Sequence, residues 1–455
     1  MDLEKLNNIY FLGIGGIGMS ALARYFNQKG VKVSGYDKTP TGLTAKLEEE
    51  GIEIHFDDDI RKIPANPGLV VYTPAIPSDL AELIYLRNSG VRIRKRAEIL
   101  GLLSRQKKTI AVSGTHGKTT ISTMIAHLMT QSVKGCNAFL GGISKNYNTN
   151  FLSSSKSEWL VVEADEYDKS FLQLEPEIAV ITAADADHLD IYGDINTMKA
   201  TYRLFAGQVK PGGKLLIKKG IGLNLERLKN ATLSEYSLDE KADYYAGNIR
   251  SKDLGFIFDF FAPGQTITDV ELRLPGLINL ENAVAALSVA VMAGLKEEEL
   301  TAALPGFTGN ERRFDIQFRS KNRVYIDDYA HHPEELKGVI SSVRNLFPGK
   351  KILGIFQPHL YSRTKDFADG FAKSLAMLDS VILLPVYPAR EKPIAGVDSA
   401  MILRRMISDS KQLCNKDDIP LVLLDKDFDI LLTLGAGDID QLVNPIKSFL
   451  NEIRC

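Results

Sequence analysis

Cysteine is scarce in this chain: three in 455 residues, Cys136, Cys414 and Cys455, far apart and without metal-ligand spacing. That excludes a disulfide framework and fits a reduced compartment. Net charge is small as well. The 55 Lys and Arg against 57 Asp and Glu leave −2, which argues against a nucleic-acid binder held mainly by phosphate contacts. Long apolar runs are also missing. The nearest candidate, residues 9–23, carries four glycines, follows Asp2, Glu4 and Lys5 and not a basic segment, and stops at Arg24. It suits a turn better than a signal sequence or a membrane span. There is no low-complexity segment and no internal repeat. The expectation is a cytoplasmic protein with neither a nucleic-acid nor a membrane partner, a monomer or weak homodimer. At about 100–200 residues per domain, its length predicts three units.

What is present centres on Ala111-Val-Ser-Gly-Thr-His-Gly-Lys-Thr-Thr120. The β-branched run 109–112 predicts a strand, Gly114 to Gly117 a tight turn, and Lys118-Thr119 the start of a helix. That is the layout of a phosphate-cradling loop. Glycines let backbone N–H groups close on phosphate, the lysine adds charge, and the threonine hydroxyl reaches Mg2+. The usual template asks for glycine at 112, where this chain has Val112, so the loop is of a shorter G-T-H-G-K-T type. Downstream, a strand over 158–162 delivers Glu163, where a nucleotide's Mg2+ is normally held. Of the acids that follow, Asp165, Glu166 and Asp168, at least one is expected to be a solvated loop residue. A strand over 177–182 delivers Asp185, Asp187, His188 and Asp190 towards the same end of the sheet. Mg2+ prefers oxygen to imidazole, so the chemistry leaves His188 open between ligand and cap. Residues 210–261 read as β-hairpins. Asn279 and Asn282 then stand near the start of an apolar helix, placed for capping or for adenine recognition.

Before this unit comes a strand over 8–12, then Gly13-Ile-Gly-Gly-Ile-Gly18, a helix to about Gln28, and a second strand leading to Asp37. The glycines permit close approach of a diphosphate, and the acid can bind ribose hydroxyls. Taken alone, this is a dinucleotide-binding domain, and an NAD-dependent dehydrogenase is the matching activity. A strand over 68–72 ends in Thr73-Pro-Ala-Ile-Pro77, at the strand end where α/β sheets bind ligands. The basic stretch Arg92 to Arg96 reads as a solvated face.

The last unit follows Asn310-Glu-Arg-Arg-Phe-Asp315. A strand over 323–326 delivers Asp327-Asp-Tyr-Ala-His-His-Pro333, with Pro333 at the first helical position. Strands over 351–356, 380–384 and 430–433 are each followed by a loop: Gln357-Pro-His-Leu-Tyr-Ser-Arg363, Pro385 to Glu391, and Gly435 to Asp438. The alternation predicts another parallel sheet, while 421–424 fits strand and helix equally. His331 and His332 are open between substrate contact and helix capping. The arginines of 310–315 are open between catalysis and bridging two domains. The fold class expected is α/β with three domains: Rossmann-like over 1–105, P-loop ATPase-like with added β-hairpins over 106–314, and Rossmann-like over 315–455.

Three such units suggest three ligands. Hydride transfer would not need the phosphate loop, and a GTPase, kinase or nucleotide-binding switch would not obviously need the first domain. An ATP-driven joining reaction uses all three. It activates a carboxylate as an acyl phosphate that a nucleophile then attacks, with Lys118, Mg2+ and an arginine neutralising charge.

Taken in order, Gly13 to Gly18, Gly114 to Thr119, Glu163-Ala-Asp-Glu166, Asp187-His-Leu-Asp190, Asn310 to Asp315, Asp327 to Pro333 and Phe356-Gln-Pro-His359 make the whole chain resemble the Mur ligases. The resemblance is closest to the member that adds the first amino acid. It implies ATP and Mg2+ as cofactors, and L-alanine joined to the lactyl carboxylate of UDP-N-acetylmuramate. The runner-up is a recycling ligase that attaches a preformed peptide to the same sugar nucleotide.

By the same resemblance, Gly15, Gly16, Asp37, Thr73, Ala75 and Ile76 would contact a UDP-sugar, not NAD. Gly114, Thr115, His116, Gly117, Lys118, Thr119 and Thr120 would cradle ATP, and Thr119, Glu163 and His188 would hold the metal. Asn279 and Asn282 match adenine-holding positions, Arg313 the one that reaches the γ-phosphate, and Asp328 the one near the ribose. Lys118, Glu163, His188 and Arg313 would be the catalytic set. Tyr329, His331, His359 and Arg363 match the region that receives the amino acid. Leu360 departs from the pattern where an arginine often follows the histidine, and Ile278 where a histidine often precedes the adenine-binding asparagine. Arg203 stands where several relatives carry a carbamylated lysine, so no such group is expected.

Overall fold

The computed structural model describes residues 3–186, 189–225, 231–238, 241–389, 391–408 and 410–452. The chain forms two compact units. One comprises Met1–Ile249, Phe258–Glu271 and Asn282–Thr308; the other comprises Arg250–Ile257, Leu272–Glu281 and Gly309–Cys455. Among the described residues no helix is long and apolar enough to cross a membrane.

Five parallel strands open the first unit: β1 (Asn8–Leu12), β2 (Lys32–Tyr36), β3 (Glu53–His55), β4 (Val70–Tyr72) and β5 (Ile93–Lys95). Their order is β3-β2-β1-β4-β5. The order reverses at β1, so the glycine turn leaving β1 stands at the switch point where such sheets bind ligands. Residues of β1 alternate between faces. Ile9 and Phe11 pack with the helix Ile17–Gln28, while Tyr10 and Leu12 pack with Leu80, Leu83 and Leu86. The short β3 was not foreseen, because a three-residue Glu-Ile-His strand leaves no measurable period.

Ten strands follow: β6 (Lys108–Ser113), β7 (Asn137–Ser144), β8 (Thr149–Leu152), β9 (Trp159–Glu163), β10 (Ile178–Ile181), β11 (Lys214–Lys218), β12 (Thr232–Ser237), β13 (Tyr244–Lys252), β14 (Gly255–Ala262) and β15 (Gln265–Leu272). The order β15-β14-β13-β12-β11-β10-β6-β9-β7-β8 puts β6 between β10 and β9, both parallel to it. The hairpin reading of 210–261 holds only for its end. β11 and β12 extend the parallel sheet from β10, as the buried Leu-Leu-Ile run of β11 allows. Two-residue links turn β13 into β14 and β14 into β15, which permits only antiparallel neighbours. The first sheet and most of the second share a unit, and Tyr25 of the first lies against Phe139 and Phe151 of the second, with ring centroids 5.7 and 6.0 Å away.

The second unit holds β16 (Asp315–Arg319), β17 (Val324–Asp328), β18 (Ile352–Phe356), β19 (Ser380–Leu383), β20 (Lys411–Leu413) and β21 (Ile430–Leu434), ordered β16-β17-β21-β18-β19-β20. Only β16 runs antiparallel to its neighbour. The helix Pro333–Leu346 begins on Pro333 as expected, and the ring of His332 caps it by accepting the Glu334 N–H. Residues 419–424 are helical.

Candidate functional site

β6 delivers Gly114, and the helix Lys118–Gln131 starts right after Gly117. Gly114 has φ +128° and Gly117 φ +81°, backbone that side chains disfavour. A Cβ on Gly114 would stand 2.1 Å from Thr182 Oγ1, and one on Gly117 2.9 Å from Asn282 Oδ1. The end of β10 and the helix Leu277–Met292 therefore both close on this turn. Thr115 donates its N–H to Ala183 O (3.2 Å) and its hydroxyl to Asp185 O (3.1 Å). Thr182 donates to His116 O, and His116 Nε2 lies 3.4 Å from the Asp185 carboxylate. Thr119 and Thr120 are buried in the first helical turn. Every position of the expected ATP loop is thus held in one small constellation.

Lys118 Nζ donates to Gly114 O (2.8 Å) and to the buried Glu166 (2.7 Å). Burial alone would lower its pKa, but the carboxylates of Glu166, Glu163 and Asp165 hold the ammonium above its ordinary value. A fixed cation at the mouth of a glycine turn is what a triphosphate needs. None of the three acids after Glu163 is a bare loop residue. Glu166 pairs with Lys118, Asp165 lies 3.6 Å from Arg96, and Asp168 2.7 Å from Lys95. The expectation of a solvated acid holds for Asp165 and Asp168, which stay 38% and 35% exposed although basic residues of the first sheet's edge lie beside the loop.

Glu163 ends β9, and its carboxylate lies over Gly141 of β7, where a Cβ would approach an oxygen to 2.1 Å. An oxygen donor so cradled, with the Thr119 hydroxyl, fits a hard cation that keeps several waters and phosphate oxygens. Among the described residues no three His, Cys, Asp or Glu side chains gather as a metal site. The third expected ligand, His188, lies outside the described residues, as does Asp187.

At the first sheet, Gly15 donates its N–H to the Asp37 carboxylate (2.8 Å). Thr73 and Ile76 close over Gly13, 2.9 and 3.1 Å from where its Cβ would be. Ala75 is exposed in the same loop. Gly16 begins the helix Ile17–Gln28 with no side-chain cap and no acid in the first turn, so the helix presents free N–H groups to an anion.

In the second unit, the guanidinium groups of Arg312 and Arg313 both lie over the ring of Tyr329, at 5.1 and 5.0 Å. Arg312 is fixed by Asp327 (3.2 Å) and Gly435 O (2.6 Å). Asp328 is buried, which pushes its carboxyl up to about 6 against the pull of Arg313. Its two oxygens accept the N–H groups of Phe314 (2.6 Å) and Ala330 (2.8 Å). In this state the carboxylate expected near a ribose shapes the backbone around Arg313. Asn279 likewise donates to Pro275 O (2.7 Å) at the start of its helix, and Ile278 packs beside Gly338.

The four residues expected at the amino acid are brought together. The His331 ring meets those of Tyr329 and His359 edge-on, at 5.3 and 6.1 Å, and Arg363 Nη1 lies 3.4 Å from His359 Nδ1. One member of this cluster was missed: Tyr387 stacks on His359 at 5.8 Å and 13°. Its N–H bonds Pro358 O (2.8 Å), and its carbonyl accepts from Leu360 (2.9 Å), which sits at φ +68°. No spacing rule links Tyr387 to His359. Only their positions after the adjacent strands β18 and β19 could have suggested it.

Residues 8–108 match the Mur ligase family catalytic domain, 112–290 the Mur ligase middle domain, and 312–437 the Mur ligase glutamate ligase domain. The UDP-N-acetylmuramate–L-alanine ligase of Parabacteroides distasonis is 48% identical over 99% of this chain and 98% of its own length. That of Porphyromonas gingivalis W83 is 49% identical over 98% of this chain and 100% of its own. The solved UDP-N-acetylmuramate–alanine ligase of Thermotoga maritima superposes with a TM-score of 0.82 at 28% identity, covering 98% and 99% of the two chains. A murein peptide ligase from Psychrobacter arcticus shares the fold, with a TM-score of 0.73 at 21% identity and coverage of 97% and 98%.

Proposed function

This chain belongs to the Mur ligase family, and we propose that it joins L-alanine to the lactyl carboxylate of UDP-N-acetylmuramate as ATP becomes ADP and phosphate. The observation that carries this reading is near-half identity, over the whole chain, to ligases of that specificity. The peptide-adding alternative is supported by likeness of fold alone.

The carboxylate attacks the γ-phosphorus and ADP leaves. The alanine amine then attacks the acyl carbon, and phosphate leaves as the amine gives up a proton. Lys118 would exchange Glu166 for the phosphate oxygens, and Arg313 would add charge at the γ-phosphate as negative charge spreads over it. Thr119, Glu163 and His188 would hold Mg2+, which neutralises phosphate charge when bound. Gly15, Gly16 and Asp37, with the Thr73 to Ile76 loop, would seat the sugar nucleotide. Gly117 and Asn282 would flank the adenine side of the loop, with Asn279 and Asp328 nearer base and ribose. Arg363 would take the alanine carboxylate beside Tyr329, His331 and His359, and since Leu360 supplies no charge, that task falls more heavily on Arg363. We assign these duties to domains over 1–105, 106–314 and 315–455 of a cytoplasmic monomer or weak homodimer.

The test is coupled ADP release over a panel of amino acids and peptides. Product should require UDP-N-acetylmuramate, L-alanine and Mg2+ together. Turnover with a tripeptide but not with L-alanine would favour the recycling ligase.

A further inference from the structure

We propose that Arg312 is a positioning residue that sets the angle at which Arg313 meets the γ-phosphate; this rests on the reading of Arg313 given above. The two adjacent arginines direct their donors differently. Among the described residues the guanidinium of Arg313 makes no hydrogen bond or ion pair and rests over the Tyr329 ring. Its donors are left for a ligand, as a phosphate-binding arginine requires. Every guanidinium nitrogen of Arg312, by contrast, donates to the protein: Nε to Asp327 (3.2 Å), Nη2 to Gly435 O (2.6 Å) and Nη1 to Gly437 O (3.4 Å). The Arg312 side chain is 19% exposed and that of Asp327 fully buried. The second Asp327 oxygen accepts from Thr433 (2.6 Å), its register partner on β21, and Thr433 Oγ1 lies 2.9 Å from the Tyr325 hydroxyl. Arg312 is thus fixed to β17 and to the turn after β21.

The backbone shows why such an anchor is needed. Arg313 stands between two residues in left-handed conformations that side chains disfavour, Arg312 at φ +59° and Phe314 at φ +47°. A segment of this kind persists only where its surroundings over-determine it. Here the Arg312 carbonyl accepts the Tyr329 N–H (2.7 Å), the Arg312 N–H reaches the Asp315 carboxylate (3.2 Å), and the Phe314 N–H reaches Asp328 (2.6 Å). Those bonds hold the chain on both sides of Arg313, and the Arg312 guanidinium ties it to the turn after β21. That turn is stiff. Gly435 has φ +144°, and a Cβ there would stand 2.7 Å from Gln357 O, while one on Gly437 would stand 2.7 Å from Tyr387 Cβ. A buried ion pair adds little net stability, so stability alone gives no reason to hold Arg312 in a strained conformation. Charge stabilisation by Arg313 does give one, because it depends on a donor that needs no reorganisation when charge develops.

Steady-state kinetics of the full-length protein in a double-mutant cycle test this. Arg312→Asn suits the left-handed backbone but cannot reach Asp327 and the turn together. It should lower kcat about 10- to 100-fold, the scale of a small misplacement at the reacting centre. The KM for UDP-N-acetylmuramate should stay level, since that ligand is assigned to the first sheet. In an Arg313→Ala background the same change should lower kcat by less than about twofold, because no guanidinium is left to position. Arg312→Lys should lose about fivefold when Arg313 is present, since an ammonium cannot reproduce the fork; this variant decides if Arg312→Asn does not fold. Equal losses with and without Arg313 would overturn the proposal, as would an unchanged kcat in both Arg312 variants. An Arg313→Ala protein with wild-type kcat would instead overturn the reading of Arg313 itself.

Discussion

Gly141 and Glu163 share one position in space: the carboxylate of Glu163 lies where a side chain on Gly141 would begin, 2.1 Å from the ideal Cβ. Gly141 belongs to β7 and Glu163 ends β9, its parallel neighbour. The strand pairing therefore sets the carboxylate at the rim of the phosphate loop, and the missing side chain leaves it room.

Gly141→Ala should expel that carboxylate while sparing the fold, because Gly141 does not have a positive φ and the displaced atoms end a flexible side chain. The expected result is a fall in kcat of about 100-fold, the scale of a 1 Å misplacement, with a melting temperature close to wild type. Steady-state kinetics and thermal unfolding of the one variant check both halves.

Lys118→Ala should abolish ligation and also destabilise the first unit. It takes from the buried Glu166 a lysine 2.7 Å away, and breaking a buried pair costs on the order of 3 kcal/mol. Lys118→Met combined with Glu166→Gln should regain most of that stability and none of the activity. Urea unfolding and ADP release separate the two effects.

Glu82 gives the first unit a pH dependence of definite sign. Burial pushes its carboxyl up to about 7, against hydrogen bonds from the Tyr10 hydroxyl and the Asp59 N–H. The folded state then binds more protons than the unfolded one between about 4.5 and 7. This group's contribution is therefore fully present below that window and is lost as pH rises through it, by at most about 1.4 kcal/mol per pH unit. Denaturant unfolding from pH 5 to pH 8 should show a smaller loss in Glu82→Gln than in wild type. Equal slopes would remove the assignment.

Tyr387→Leu removes the ring stacked on His359. Such a contact is worth about 0.5–1.5 kcal/mol, so the KM for L-alanine should rise about three- to tenfold while those for ATP and the sugar nucleotide stay level. Tyr387→Phe keeps the stack and should behave as wild type. A uniform loss in all three would mark a general packing defect.

Much was legible before any coordinates, wherever the governing physics is local. Short runs of apolar and β-branched residues located β6, β17 and β21 to within two residues. The G-T-H-G-K-T turn and its helix followed from backbone conformations that glycine alone adopts freely, and Pro333 opened its helix where a missing N–H does no harm. The failures share a different cause. β11 and β12 were read as part of a run of hairpins because the residues of a strand do not say which strand comes next to which. Tyr387 beside His359, Arg312 beside Gly435 and Glu163 over Gly141 are juxtapositions of residues on separate strands or loops, so no spacing along the chain encodes them. The sequence by itself determined the three-sheet α/β plan and the phosphate turns, since periodicity and turn chemistry act over a few residues. Only the tertiary structure decided which charges meet at those turns, because strand order and side-chain packing bring them there from distant parts of the chain.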